Sequence, residues 1–268
     1  MSSAAVQAGD RLARIREQSP LVHSITNYVV MNFTANVLLA MGASPVMAHA
    51  GEEVEEMASL AGALVLNIGT LSQDWISSMH KAGKKATERT LPIVLDPVGS
   101  GATVYRTQTA RALLEQNRIT LIRGNASEIL SLRRHDLQTK GVDTRHSVEE
   151  AAETAGLLAR ELGTVLAMTG PVDLVTDGRR TLRILNGHPL MGRITGTGCA
   201  ATVICAAFLA LEPDPVAAAA SALAFFGLAG ERAGENASAP GSFQTALLDA
   251  LYRITPEELA AEARIEQW

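Results

Sequence analysis

The chain has 268 residues, with 23 Lys or Arg against 28 Asp or Glu and a formal net charge of -5, a balance that argues against a basic nucleic-acid-binding protein. Apolar residues make up 47% and charged residues 19%, which is globular composition and excludes disordered and fibrous chains. Aromatics are only 4%, so small and branched aliphatic side chains must form the core between closely approaching elements, as when helices lie on a sheet.

In chain order, aliphatic and β-branched runs predict strands at 21–26 (LVHSIT), 63–69 (ALVLNIG), 92–99 (PIVLDPVG), 120–125 (TLIRGN), 165–170 (VLAMTG) and 173–178 (DLVTDG). Helical patterns lie between them at 31–41, 72–89, 103–116 and 147–161, and the last third reads as helices over 197–211, 216–234 and 243–264. Alternating strands and helices predict an α/β fold: a central, mostly parallel sheet with helices on both faces. The polar stretch 133–147 reads as a surface loop, and no repeat or low-complexity linker interrupts the chain, so one domain over residues 1–268 is expected. The first twenty residues contain no apolar h-region, and the apolar stretches 199–211 and 216–230 fall short of a bilayer span, so the expectation is a cytoplasmic protein without membrane contact. On one helix, Cys199 and Cys205 would stand about 9 Å apart along the axis on different faces, which excludes a disulfide between them.

In open α/β sheets ligands sit beyond the carboxyl ends of the strands. The runs here close on Asn27, on Asp96 before Pro97 and Gly99, on Arg123-Gly124-Asn125 and on Thr169-Gly170, an unusually polar set even allowing for turn preferences. GTGC at 196–199 precedes the apolar run AATVICAAFLAL and predicts a helix amino end. Gly196 and Gly198 would let backbone approach a ligand, and the unpaired N–H groups of the first turn favour an anion such as a phosphate. Cys199 in that turn is expected to have a lowered pKa and to serve as base or nucleophile, the plain alternative being a capping loop with a small buried Cys. Asn125 with Glu128 three residues on has capping-box spacing; the sharper alternative is that Asp96 and Glu128 share a hydrated Mg2+, with Arg123 pairing phosphates. The six His are scattered without zinc spacing, and neither GxxxxGK[ST], G-x-G-x-x-G nor G-x-S-x-G occurs in the appropriate context.

ITNYVVMNFTANVLLAMGASPVM at 25–47, LDPVGSGAT at 95–103, IRGNASEI at 122–129, MTGPVDLVTDG at 168–178 and ITGTGCAAT at 194–202, in this order, resemble the hydroxyethylthiazole kinase family. The resemblance runs from about residue 20 to the end of the chain. It implies a ribokinase-like fold and transfer of the ATP γ-phosphate to the alcohol of 4-methyl-5-(2-hydroxyethyl)thiazole, for thiamine synthesis or salvage. By motif match it implies that Met47, Gly196 and Asn27 contact the thiazole, that Arg123, Thr169 and Gly198 contact ATP, that Asp96 and Glu128 are the Mg2+-linked acids, and that Cys199 is the catalytic base where related kinases carry Asp. It further implies a homotrimer with sites at subunit boundaries. Three rivals remain: an ADP/ATP-dependent NAD(P)HX dehydratase-like lyase, disfavoured by Cys199; a kinase of another small alcohol, disfavoured by the ITNYVV block; and an inactive nucleotide-binding relative.

Overall fold

A computed structural model describes residues 2–133 and 148–268; of the predicted surface loop 133–147, all but Arg133 lies outside the described residues. In chain order the elements are α1 (Ser3–Gln18), β1 (Leu21–Ile25), α2 (Met31–Met41), β2 (Ser44–Val46), α3 (Val54–Leu60), β3 (Ala63–Asn67), α4 (Gln73–Glu88), β4 (Ile93–Asp96), α5 (Val104–Gln116), β5 (Leu121–Asn125), α6 (Ala126–Leu130), α7 (Val148–Leu162), β6 (Val165–Thr169), β7 (Asp173–Thr176) and β8 (Thr181–Ile184). A 3-10 turn at Pro189–Arg193 then leads into α8 (Thr197–Leu209), α9 (Pro215–Asn236), α10 (Pro240–Arg253), α11 (Pro256–Glu262) and β9 (Ile265–Gln267).

Among the described residues nine strands form one sheet in the order β2-β1-β3-β4-β5-β6-β7-β8-β9. Pairing is parallel from β2 through β6 and antiparallel from there to β9. The chain leaves β1 for β2 on one side and returns to β3 on the other, so the direction of winding reverses at β1, where open α/β sheets place their ligand crevice.

All six predicted strands are present. Three short strands escaped the sequence reading: β2, an edge strand that tolerates Pro45, and β8 and β9 at the far edge. Helix α1 was also missed, although Ala5, Ala8, Leu12 and Ile15 follow helical spacing and are buried. The single helix expected over 243–264 is two. Pro256 has no N–H to continue α10 and restricts Thr255 to extended backbone, φ -83° and ψ 160°, from which its side chain caps the amide of Glu258 and starts α11.

The period of two along the central strands sorts their side chains between two cores. Val22, Val65, Val94, Leu121 and Ala167 join the core with α1, α2, α8, α9 and α10. Leu64, Leu66, Ile93, Leu95, Ile122, Leu166 and Met168 join the core on the opposite face with α4, α5 and α7. Two residues beyond the first set stand Asn67, Asp96, Arg123 and Thr169, so the pleat alone turns all four toward α8. Helix α8 is buried from Cys199 through Leu209 on every side, as an apolar helix between a sheet and a second helix layer must be. The expectation that no apolar stretch matches a bilayer span is corrected for α9: its Pro215–Glu235 portion is long and apolar enough to cross a membrane, but 83% of its most apolar window is buried inside the protein.

Candidate active site

The amino end of α8 meets the strand ends near the reversal point. Gly196 caps the helix in left-handed backbone, φ +89°, and a Cβ there would come within 2.8 Å of the Val30 side chain. At Gly198 a Cβ would stand 2.8 Å and 2.9 Å from Nη1 and Nη2 of Arg123. The second glycine therefore makes room for a buried guanidinium, whereas the sequence had suggested room for a ligand.

Below this turn the polar strand ends form one closed network. Arg123 donates from Nη2 to Oδ1 of Asp96 at 2.9 Å, from Nε to Oγ1 of Thr202 at 2.9 Å and from Nη1 to Oγ1 of Thr169 at 3.3 Å. Thr202 donates to Oδ2 of Asp96 at 2.8 Å, and Asn67 Nδ2 donates to the same oxygen at 2.8 Å. Asn67 Nδ2 also reaches Sγ of Cys199 at 3.2 Å. Asn27 Nδ2 bridges Asn67 Oδ1 at 2.9 Å and Sγ at 3.7 Å. Asp96 is completely buried and Arg123 is 5% exposed. Burial opposes the Arg123 charge, but Asp96, with smaller contributions from Cys199 and Glu128, raises its pKa above the ordinary value. A guanidinium carries five N–H donors. Three are used here, leaving one on each terminal nitrogen beside the Gly198 backbone.

The expected acidification of Cys199 is overturned: burial, then the nearby charge of Asp96, push its thiol up to about 12 against the opposing pull of Arg123, Asn67 and Asn27. The helix end does lie at Cys199, but the thiol is desolvated and Asp96 already balances the nearest cation. Cys199 is thus a neutral thiol at neutral pH, held by two amides. Cys205 is fully buried in the core, as its position on the apolar helix suggested.

Glu128 fulfils the capping reading. Its Oε2 accepts from the Asn125 amide at 3.0 Å, and Asn125 Oδ1 accepts from the Glu128 amide at 2.9 Å. Its Oε1 also accepts from Gly99 at 2.8 Å, tying the loop after β4 to α6. Among the described residues no group of three or more His, Cys, Asp or Glu converges on a metal position. Mg2+ needs only one or two carboxylates, since it keeps much of its water. Half-buried Glu128 retains lone pairs suited to metal-bound water, and buried Asp96 accepts from Arg123 on Oδ1 and from Thr202 and Asn67 on Oδ2.

Met47 follows β2, half-buried against the α8 core. His23 and His49 brace its loop, their ring nitrogens lying 2.7 Å from the Ala48 carbonyl and 3.1 Å from the Met47 carbonyl. Beside the α8 amino end opens a cavity of about 620 Å³, lined by Thr169, Asp173, His188, Gly198 and Phe226 among others and not by Met47. Burial pushes the Asp173 carboxyl up to about 6, against the Gly170 amide that donates to it at 2.9 Å and the charge of Arg123. Two members of the network were missed in the sequence. Asn67 closes the run ALVLN as Asp96 closes IVLD, and the two pair in register across β3 and β4. Thr202 lies one turn beyond Gly198, on the same helix face.

The mostly parallel sheet flanked by helices, with a helix start over the strand ends, is an α/β architecture that its structural neighbours share as the ribokinase-like fold. A ribokinase-like superfamily protein from Enterococcus faecalis superposes with a TM-score of 0.61 at 15% identity, covering 92% of this chain and 95% of its own, which shows the common fold. Residues 12–257 match the model of the hydroxyethylthiazole kinase family. A protein named hydroxyethylthiazole kinase from Desulfotalea psychrophila is 59% identical over 267 residues, 100% of this chain and 98% of that protein. The structure of the hydroxyethylthiazole kinase protein from Pyrococcus horikoshii OT3 superposes with a TM-score of 0.90 at 48% identity, covering 98% and 99% of the two chains. The chain belongs to the hydroxyethylthiazole kinase family.

Proposed function

We propose that this protein transfers the γ-phosphate of ATP to the primary alcohol of 4-methyl-5-(2-hydroxyethyl)thiazole, in thiamine salvage. The observation that carries the reading is the placement of Cys199: a thiol held by Asn27 and Asn67 at the reversal point of the sheet, in the first turn of a helix whose opening glycines overlie Arg123. ATP lies in the cavity beside Thr169 and Gly198, with its phosphates toward the first turn of α8. The amides of Thr197, Gly198 and Cys199 have no intrahelical acceptor, and with the two remaining N–H groups of Arg123 they take up charge spreading over the transferring group. The thiazole lies on the Met47 and Asn27 side, against Gly196.

A protonated Sγ cannot accept a proton, so Cys199 orients the alcohol through a hydrogen bond rather than acting as a standing base. The alcohol oxygen bonds to phosphorus as the bond to ADP breaks, and its proton leaves late, to a phosphate oxygen or water. Little basicity is needed when transfer is mostly positioning. Mg2+, held through water near Glu128, would supply neutralisation of the phosphate oxygens; Asp96 keeps Arg123 in place. The proposal extends to a cytoplasmic location and to a homotrimer with shared sites, for whose subunit boundary the exposed Tyr28, Val29, Val104 and Tyr105 offer apolar surface. Light scattering at micromolar concentration tests this, with a mass three times 28.3 kDa expected and a monomer counting against it.

Coupled ADP release with Mg2+, ATP and the thiazole alcohol, with mass detection of the phosphorylated product, tests the function. Thiazole-dependent product is expected. ATP binding without product would sink the reading and move the weight to another alcohol or to hydrated nicotinamide cofactors.

A further inference from the structure

Arg106, in the first turn of α5, points back over the carboxyl ends of the interior strands β3 and β4, with no carboxylate partner among the described residues. Its fork is filled by backbone instead: Nη1 donates to the carbonyls of Ile68 at 2.9 Å and Val98 at 2.8 Å, and Nη2 to the carbonyl of Gly69 at 2.7 Å. Ile68 and Gly69 follow β3; Val98 follows β4. One side chain thus ties together the loops that continue from Asn67 and Asp96. Gly99, in left-handed backbone at φ +70°, leaves space for the Arg106 stem, since a Cβ there would be 3.2 Å from Cδ.

Gly69 carries this restraint to the thiol. Its amide donates to Asn67 Oδ1 at 2.9 Å, the oxygen that also receives Asn27 Nδ2. Its Cα lies so close to Asn27 that a Cβ would be 2.3 Å from Nδ2. With its carbonyl held by Arg106, Gly69 is fixed against both asparagines that reach Cys199.

We propose that Arg106 is a positioning residue for phosphoryl transfer, clamping the loops after β3 and β4 so that Asn67 and Asn27 hold Cys199 at the reacting alcohol. The inference rests on the reading that the alcohol reacts at Cys199. Arg106 has no need to touch either substrate; its effect passes through Gly69 and the asparagine pair. A planar guanidinium reaches three carbonyls on two loops at once, which a lysine ammonium on a flexible stem does not reproduce.

The test is steady-state kinetics of Arg106→Gln, Arg106→Lys, Asn67→Ala and each Arg106 variant combined with Asn67→Ala, with melting curves to confirm folding. Arg106→Gln is expected to lower kcat about 100-fold, the scale of a misplacement near 1 Å, with KM for ATP little changed. Arg106→Lys is expected to recover only part of that loss. The double variants should lose less than the sum of the two single losses, because both changes act through the restraint that Gly69 places on the asparagine pair. Additive losses overturn the clamp, and full recovery by Arg106→Lys overturns it in favour of charge alone. If Arg106→Gln does not fold, the Lys variant and its cycle with Asn67→Ala give the same decision. Asn67→Ala with wild-type activity would instead overturn the reading of the site on which the inference rests.

Discussion

Gly198→Ala isolates what the second glycine of the helix start is for. A Cβ placed 2.8 Å from Nη1 and 2.9 Å from Nη2 must push the Arg123 guanidinium about 0.6 Å to reach ordinary contact at 3.4 Å. The guanidinium is held by Asp96, Thr202 and Thr169, so a shift of that size distorts the 2.9 Å ion pair and the bonds to the two threonines. Losing part of one charge-assisted bond costs about 1.5–3 kcal/mol, and Ala in place of Gly in a helix returns up to about 1 kcal/mol. Stability should therefore fall by only about 0.5–2 kcal/mol, while displacement of the phosphate-facing N–H groups lowers kcat/KM for ATP about 10- to 100-fold. Urea denaturation reads the first quantity and the ADP-release assay the second. A Gly198→Ala enzyme with wild-type kcat/KM would refute the assignment of that glycine to Arg123, and of Arg123 to the phosphates.

Cys199→Ala should keep substrate binding and lose much of its turnover in the same assay, because the Asn27 and Asn67 amides lose their sulfur acceptor. Cys199→Asp should stay active, and normal turnover of the Ala variant would move the function to the backbone amides at 196–199. Asp96→Asn removes the ion-pair partner of buried Arg123 and should cost about 3–5 kcal/mol by urea denaturation, with a loss under 1 kcal/mol contradicting the burial argument. Asp173 has a folded pKa of about 6 against 3.8 when unfolded, so the folded state keeps a proton that the unfolded chain releases first. Its stability contribution is lost as pH rises through that window, leaving a deficit of about 1–3 kcal/mol at neutral pH. Asp173→Asn should accordingly melt higher than wild type at pH 7 and about equally near pH 4; a lower melting temperature at pH 7 would refute the assignment.

The residues most legible from the sequence were those closing strands. Asn27, Asp96, Arg123 and Thr169 break aliphatic runs, and for the last three a period of two determines their face once one apolar partner is placed, whereas Asn27 lies past the end of β1 and only the loop turns it toward Cys199. Asn67 obeys the same rule and was overlooked only because its run continues through Ile68 and Gly69. GTGC announced a helix start because glycines before an apolar helical run have few other uses. Arg106 had no such signal: a polar residue in a helix beginning is ordinary, and its bonds go to carbonyls, which every residue has.

The sequence by itself determined the alternation of strands and helices, the apolar character of α8 and the placement of polar groups at strand ends, because side-chain periodicity is local. Only the tertiary structure decided that Gly198 shelters Arg123, that Asp96 is a buried counter-charge and that Cys199 is a neutral thiol. Each of these depends on distances between segments far apart in the chain and on how completely water is removed around them. Burial reversed the pKa expected from the helix end alone, since desolvation of a thiolate outweighs the attraction of a helix terminus whose nearest cation is already paired.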